Sequence, residues 1–376
     1  MKLIDVCELI VDCPHSTAKD EGQGIPLVRT PNIGKGRLEL SDVHRVSEAV
    51  YNQRIERAVP EAGDLILARE APVGNVALIM PGQKVCLGQR VVLIRPDKEK
   101  ADPAYLTYYL LSEEVQHRLK NNANGAVVAH LNMNEIRNLV IELPEISIQK
   151  RIASVLSSLD DKIALNNRIN HNLEEQAQAL YKSWFVDFDP FKGGKFVDSE
   201  LGMIPEGWTV APLGCIATIS SGKRPPFKST VQNEEYQIPV LGASSVMAYT
   251  SEYLIEGLYI ITGRVGTLGE LQRVKGKIWP SDNTLVISSD YYNFVYQVLR
   301  EVDYSSLNRG STQPLLTQSD LKSWPIVLPP EDVLNRFESC SLSLTSSILM
   351  NIEQNGVLRN VRDSILPVLM HDGINS

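Results

Sequence analysis

Apolar residues along this chain fall into two alternating regimes: short runs broken by turns, and two long stretches with helical spacing. In the first long stretch Ile152, Leu156, Leu159, Ile163, Asn166, Asn170, Leu173, Ala177, Leu180 and Trp184 follow one another at steps of four and three. No Pro or Gly interrupts Ser147 to Asp189. A strip of that period, sustained over several heptads, predicts a long helix burying one seam against a partner. About 39 residues of it would make a rod of roughly 58 Å at 1.5 Å rise per residue.

The partner is written in the same chain. Gly125, Leu131, Ile136, Ile141, Leu143 and Pro144 return 185 positions later as Gly310, Leu316, Leu321, Ile326, Leu328 and Pro329, with Glu135 matched by Asp320. Each copy reads as a helical turn, a short apolar strand and a Leu-Pro. A second helical stretch then follows: Phe337, Ser341, Leu344, Ile348, Asn351, Asn355, Leu358, Arg362, Ile365 and Leu369. Its polar positions coincide with those of the first, Asn166 and Asn170 against Asn351 and Asn355. Amides in an apolar seam lower stability but fix register when each finds another amide. With an approximate two-fold relation the helices run antiparallel and the four Asn meet at mid-seam. The second copy departs from the first in its Ser/Thr-rich segment 340–347, made of weak helix formers, and in Arg362 at a seam position.

Before each helix lies a β-rich stretch. In the first, Ile25–Arg29, Asp64–Ala68, Val76–Ile79 and Arg90–Ile94 read as strands, with a helix near Ala104–Leu119. The second offers Ile238–Leu241, Leu258–Ile261, Lys277–Trp279 and Thr284–Ile287, with a helix near Tyr291–Leu299. Phe188–Trp208, rich in Gly and Pro, reads as a connector.

Composition narrows the class. The 376 residues, 43% of them hydrophobic, suit two domains with real cores rather than a disordered chain. No apolar run approaches a membrane span, and Asp5 interrupts the place where a signal peptide needs an unbroken apolar stretch. Five scattered cysteines without a CxxC pair suggest reduced thiols in a cytoplasmic protein. A net charge of −8 argues against non-specific coating of nucleic acid but allows local basic faces on an acidic body.

Enzyme signatures are weak. Asp189-Pro190-Phe191 lacks the second Pro of a methyltransferase catalytic loop, and Gly263, Gly266 and Gly269 do not form a dinucleotide fingerprint. There is no GxxxxGK[ST] loop, Asp97-Lys98-Glu99-Lys100 reads as a charged turn, and the six His are dispersed. No catalytic residue, metal site or cofactor is expected.

The segments Ile152–Leu156, Leu159–Ile163, Asn166–Asn170, Leu180–Pro190 and Ile204–Trp208 resemble the central conserved region of the specificity subunit of type I restriction-modification enzymes. Ser364–Leu369 is similar to the end of its second conserved region. The resemblance implies an α+β fold, with two β-rich recognition domains separated by a long antiparallel two-helix coiled coil in a pseudo-two-fold repeat. The domains would be a first target recognition domain (1–146), the central helix (147–187), the connector (188–208), a second target recognition domain (209–330), the C-terminal helix (331–370) and a tail (371–376).

It further implies a subunit without chemistry of its own that reads a split, asymmetric site in double-stranded DNA. The helices would space the half-sites and dock two methyltransferase subunits, which restriction endonuclease subunits join. S-adenosylmethionine, ATP and Mg would belong to those partners only. A coiled-coil adaptor that binds proteins alone is the competing reading.

Candidate DNA contacts in the first β-rich unit are Arg29, Asn32, Lys35 and Arg37 in one Gly-containing loop, Arg69 in a second, and Gln89 with Arg90. In the second unit they are Lys223, Arg224 and Lys228, then Arg264 and Thr267. Arg and Asn can bond bidentately to guanine or adenine edges, and Gly lets backbone approach phosphate. Arg264 parallels Arg69, since each follows an apolar strand that starts after a Gly.

Overall fold

The structure, a computed structural model, describes residues 1–70, 73–121, 130–310 and 312–375. Gly125, one of the repeated glycines, lies outside them. The chain divides into two compact units, residues 1–164 with 356–376, and residues 165–355.

In the first unit a five-stranded sheet has the order Cys7–Asp12, Val91–Pro96, Leu65–Ala68, Val76–Leu78, Gly36–Arg37. A smaller sheet orders Arg45–Val46, Ile25–Val28 and Cys86–Leu87, the last two parallel. Helices Pro103–Leu111 and Glu113–Asn121 pack on the larger sheet; Ser112 breaks the single expected helix in two. The core runs from Leu65, Val92 and Ile94 through Tyr105 and Leu106 to Ile152, Leu156 and Met370.

The second unit repeats this plan. Its six-stranded sheet orders Thr218–Ser221, Thr284–Ser288, Ile255–Gly263, Leu271–Pro280, Ile238–Leu241 and Val246–Thr250. Ile238-Pro239-Val240-Leu241 corresponds to Ile25-Pro26-Leu27-Val28: each pairs antiparallel on one side and parallel on the other. Tyr292–Glu301 is the packed helix. Entry into each unit is fixed by one bond at one register: Leu3 N–H donates to the Leu139 carbonyl at 2.9 Å, Leu213 N–H to the Trp324 carbonyl at 2.8 Å. Leu139 and Trp324 are separated by the same 185 positions as the repeat.

The repeated acids are helix caps. Glu135 accepts from Asn132 N–H at 2.9 Å, and Asp320 accepts from the Thr317 hydroxyl at 2.6 Å while Thr317 accepts from Asp320 N–H at 3.1 Å. After these turns, Pro325–Leu328 forms a strand with Thr209–Pro212. In the first unit the corresponding stretch makes only the single bridge between Lys2 and Val140.

Both long helices exist: Ile146–Phe185 and Glu331–Asn375. The expected tail 371–376 is therefore helical through Asn375, and the helix runs through Pro367. In each unit the two helices pair antiparallel. In the first, Arg362 meets Asp160; in the second, Asn355 meets Asn166, Asn351 meets Asn170, and Phe337 packs on Tyr181.

The buried line along the first helix differs from the expected one. Asp160, Tyr181 and Phe185 are buried, while Leu159, Leu180 and Trp184 are only half-buried. The change is local, since Ile152, Leu156, Ile163, Asn166 and Ala177 are buried as expected: at 3.6 residues per turn, positions three and four beyond a buried residue flank the same line.

The connector is also more ordered than expected. Phe196–Ser199 and Gly202–Pro205 form a hairpin. Phe188 and Phe191 pack their rings against Trp208 at 5.5 and 4.9 Å between centroids. Asp189 receives Ser183 and Lys192 at 2.8 and 2.6 Å, closing the helix end rather than forming a catalytic loop.

Candidate nucleic-acid interface

One arrangement of backbone bonds occurs in both units. In the first, Cys13 N–H donates to the Val91 carbonyl, Arg69 N–H to the Arg90 carbonyl, and Leu131 N–H to the Arg69 carbonyl, at 3.2, 2.9 and 3.2 Å. In the second, Gly222 N–H donates to Thr284, Arg264 N–H to Asn283, and Leu316 N–H to Arg264, at 3.1, 2.9 and 2.8 Å. Leu131 and Leu316 belong to the repeat. Arg69 and Arg264 are therefore equivalent positions at one end of equivalent sheets, and the loops around them differ in sequence between the two units.

The two arginines are used differently. Arg69 is buried and its guanidinium is committed to the protein: Nε donates to the Leu131 carbonyl at 2.8 Å and Nη1 to Asp12 at 2.6 Å. Nη2 lies 2.8 Å from His130 Nε2. Since arginine only donates, that ring nitrogen accepts, so His130 Nδ1 carries the proton it gives to Glu70 at 2.6 Å. Glu70 also holds Arg90 at 2.9 Å. Arg90 itself is exposed, with φ +66°, a backbone region that non-glycine residues seldom adopt. Gln89 is tied to the His15 carbonyl at 2.8 Å.

Arg264 is half-buried and loosely held. Nη1 reaches the Ser221 hydroxyl at 3.4 Å, Gln318 donates to that same hydroxyl at 2.8 Å, and Nε is buried without a partner among the described residues. Thr267 is exposed nearby; its carbonyl comes within 2.0 Å of where a Cβ on Gly263 would stand, which requires glycine there.

The loop after Thr218–Ser221 is fixed at its base. Lys223 N–H donates to the Pro280 carbonyl at 3.0 Å, and Trp279 Nε1 donates to the Lys223 carbonyl at 2.7 Å. A Cβ on Gly222 would lie 2.2 Å from the Ser281 carbonyl oxygen, so only glycine fits. The side chains of Lys223, Arg224 and Lys228 are exposed; Arg224 faces Asp282 at 3.7 Å.

The remaining candidates of the first unit lie on another loop. Asn32 is buried, its Oδ1 accepting from Arg29 N–H at 3.1 Å and its amide donating to the Glu39 carbonyl at 3.4 Å. It shapes the turn that carries Arg29. Arg37 pairs with Asp161 at 2.5 Å and touches Met80. Lys35 is exposed.

Sequence reasoning passed over Phe227, whose side chain is 67% exposed within the basic loop, and Ser221 and Gln318, which support Arg264. The Pro-Pro-Phe run between cations was the available signal. Among the described residues no group of three His, Cys, Asp or Glu could hold a metal ion, and no helix is long and apolar enough to cross a membrane.

Residues 1–175 and 205–336 match the family described as type I restriction modification DNA specificity domain. The chain belongs to that family. It is 30% identical over 364 residues to the type I restriction enzyme MjaIX specificity subunit of Methanocaldococcus jannaschii, covering 86% of this chain and 83% of the relative. The HindI specificity subunit of Haemophilus influenzae is 24% identical over 404 residues, with 83% and 86% covered. The crystal structure of the S subunit from M. genitalium has the same fold, with a TM-score of 0.52, 13% identity, and 98% and 95% of the two chains covered. The chain is thus a DNA specificity subunit of a type I restriction-modification complex, the non-catalytic member of that assembly.

Proposed function

We propose that the chain reads a bipartite, asymmetric DNA site, one half-site with each β-rich unit. The paired long helices set the gap and dock two methyltransferase subunits, and restriction endonuclease subunits join that core in the cytoplasm. S-adenosylmethionine, ATP and Mg then belong to the partners.

The observation that carries this reading is the doubled bonding pattern around Arg69 and Arg264. One frame is built twice and dressed with different side chains, which suits a reader of two unlike half-sites. Continuous helices of 40 and 45 residues, roughly 60 and 68 Å at 1.5 Å rise, favour a fixed gap, since a turn of DNA is about 34 Å. In the second unit Lys223, Arg224 and Lys228 suit phosphates, and Arg264 with Thr267 suits base edges. In the first, Arg29, Lys35, Arg37, Gln89 and Arg90 face these tasks. Arg69 and Asn32 hold the loops that present them.

The test is a methylome of a host carrying the system with and without this chain, followed by selection of random duplexes by the specificity–methyltransferase complex. Arg264→Ala should relax preference at one base pair by about 1–3 kcal/mol. Lys223→Ala should weaken all sequences equally and lower the salt slope by about one. A complex that retains no preferred sequence would refute the reading.

A further inference from the structure

Phe227 stands out among the aromatic side chains. Most are packed in the two cores, yet this ring is 67% exposed on a loop with both ends fixed. At one end Lys223 is locked to Pro280 and Trp279. At the other, Ser229 and Tyr249 exchange backbone bonds at 2.8 Å in each direction. Between these anchors Pro225 and Pro226 restrict φ and remove two donors, which stiffens the tip.

Taking an exposed apolar ring out of water is favourable, so a partner surface that receives it gains affinity. Cations flank Phe227 in the chain: Lys223, Arg224 and Lys228 are all exposed, with Arg224 beside Asp282 at 3.7 Å. That combination does not fit an apolar protein patch, which would be depleted of Lys. It fits a polyanion with stacked planar groups, where charges grip phosphates and a ring enters between them. The corresponding loop of the first unit, which leaves the sheet after Cys13, runs Pro14-His15-Ser16-Thr17-Ala18-Lys19 and carries no Phe, Tyr or Trp.

We propose that Phe227 is a wedge that inserts between two base pairs of the half-site read by the second unit and opens that step. Selectivity there then includes how readily the step unstacks, a property felt without base-edge hydrogen bonds. The inference rests on the reading that the second unit binds one half-site.

The experiment uses the complete specificity–methyltransferase complex and its own recognition duplex, with 2-aminopurine substituted in turn at positions of either half-site. Apart from the bases that the methyltransferases themselves flip out, the wild-type complex should raise fluorescence at one step in the second unit's half-site and at none in the first unit's. Phe227→Ala should abolish that rise and weaken binding about tenfold, while Phe227→Leu, still an apolar wedge, keeps most of both. Equal signal and affinity in wild type and Phe227→Ala would overturn the proposal. So would a folded Phe227→Ala chain that no longer assembles with methyltransferase, which would make the ring a protein contact. A wild-type complex without preference for any sequence would instead refute the half-site reading itself.

Discussion

Arg362 places its Nη1 2.7 Å from Asp160 Oδ1, so the cation that interrupts the apolar seam is paired with a buried carboxylate on the facing helix. Asp160 also accepts from the Tyr108 hydroxyl at 2.6 Å. The Asp160 side chain is only 4% exposed, and burial of the pair makes each partner dependent on the other. Arg362→Leu should destabilise the protein by about 3–5 kcal/mol, and adding Asp160→Leu should restore much of the loss. Urea unfolding of the wild type, both single variants and the double variant checks this; additive losses would refute it.

A similar cycle applies to the amide ladder. Asn166 donates to Gln354 at 2.8 Å and to Asn355 at 2.9 Å, and Asn355 donates to Asn167 at 2.8 Å. Asn351 donates to Asn170 at 2.8 Å, and Asn170 lies 3.4 Å from the Ile348 carbonyl. Asn166→Leu strands part of this network and should cost about 1–3 kcal/mol. Asn166→Leu with Asn355→Leu should regain stability while loosening the register, since apolar seams accept more alignments. Thermal unfolding together with cysteine cross-linking across the pair reports the two effects separately.

Glu338 caps a helix from outside it. Its carboxylate accepts from Asn293 N–H at 3.1 Å, Phe294 N–H at 2.8 Å and the Asn293 amide at 2.8 Å. Burial nevertheless pushes its carboxyl above the ordinary range, against the pull of the Phe294 and Asn293 donors. The folded state therefore holds this proton more tightly than the unfolded chain, and the contribution to stability is present at low pH. It is lost as pH rises from the ordinary carboxyl value through the raised one. The stability difference between wild type and Glu338→Gln should shift against the wild type as the pH is raised from about 4 to about 8. A difference flat with pH would contradict the assignment.

Cysteine reactivity should divide sharply. Burial pushes the Cys7 thiol up to about 12, helped by the Asp97 charge, and the Cys86 thiol to about 11. Burial raises Cys13 as well. Cys215 and Cys340 are exposed. Iodoacetamide at neutral pH should alkylate Cys215 and Cys340 in the native chain, and the other three only after denaturation. Peptide mass spectrometry gives the answer directly.

Much of this organisation was legible because a repeat is a pattern within one chain. The offset linking Leu131 to Leu316 also links Leu139 to Trp324, whose carbonyls close the two units identically. The Asn pairs were legible because an amide in an apolar seam needs a hydrogen-bonding partner, and the facing helix offers one at the matching position. Position within the seam was not: Asp160 and not Leu159 takes the buried place between Leu156 and Ile163, and with it comes the reason for Arg362. The burial of Arg69 could not be read either, because it depends on Asp12, His130 and Leu131, which are distant in sequence and met only through sheet register. Phe227 was overlooked because an aromatic residue in a loop normally turns inward, and only the two fixed ends of that loop keep this one out.

At the node where each unit's shorter packed helix meets a long helix, the two copies use different chemistry. Tyr108 faces Asp160 in one, and Asn293 faces Thr345 at corresponding positions in the other. A chimera that seats the second unit's packed helix on the first copy's long helices would set Asn293 against the Asp160 carboxylate in place of the Tyr108 hydroxyl. The reverse graft would give the tyrosine hydroxyl a threonine in place of an anion. The two-fold likeness thus holds in the backbone but not in the sockets, and modules exchanged between the two positions would need their node residues carried along.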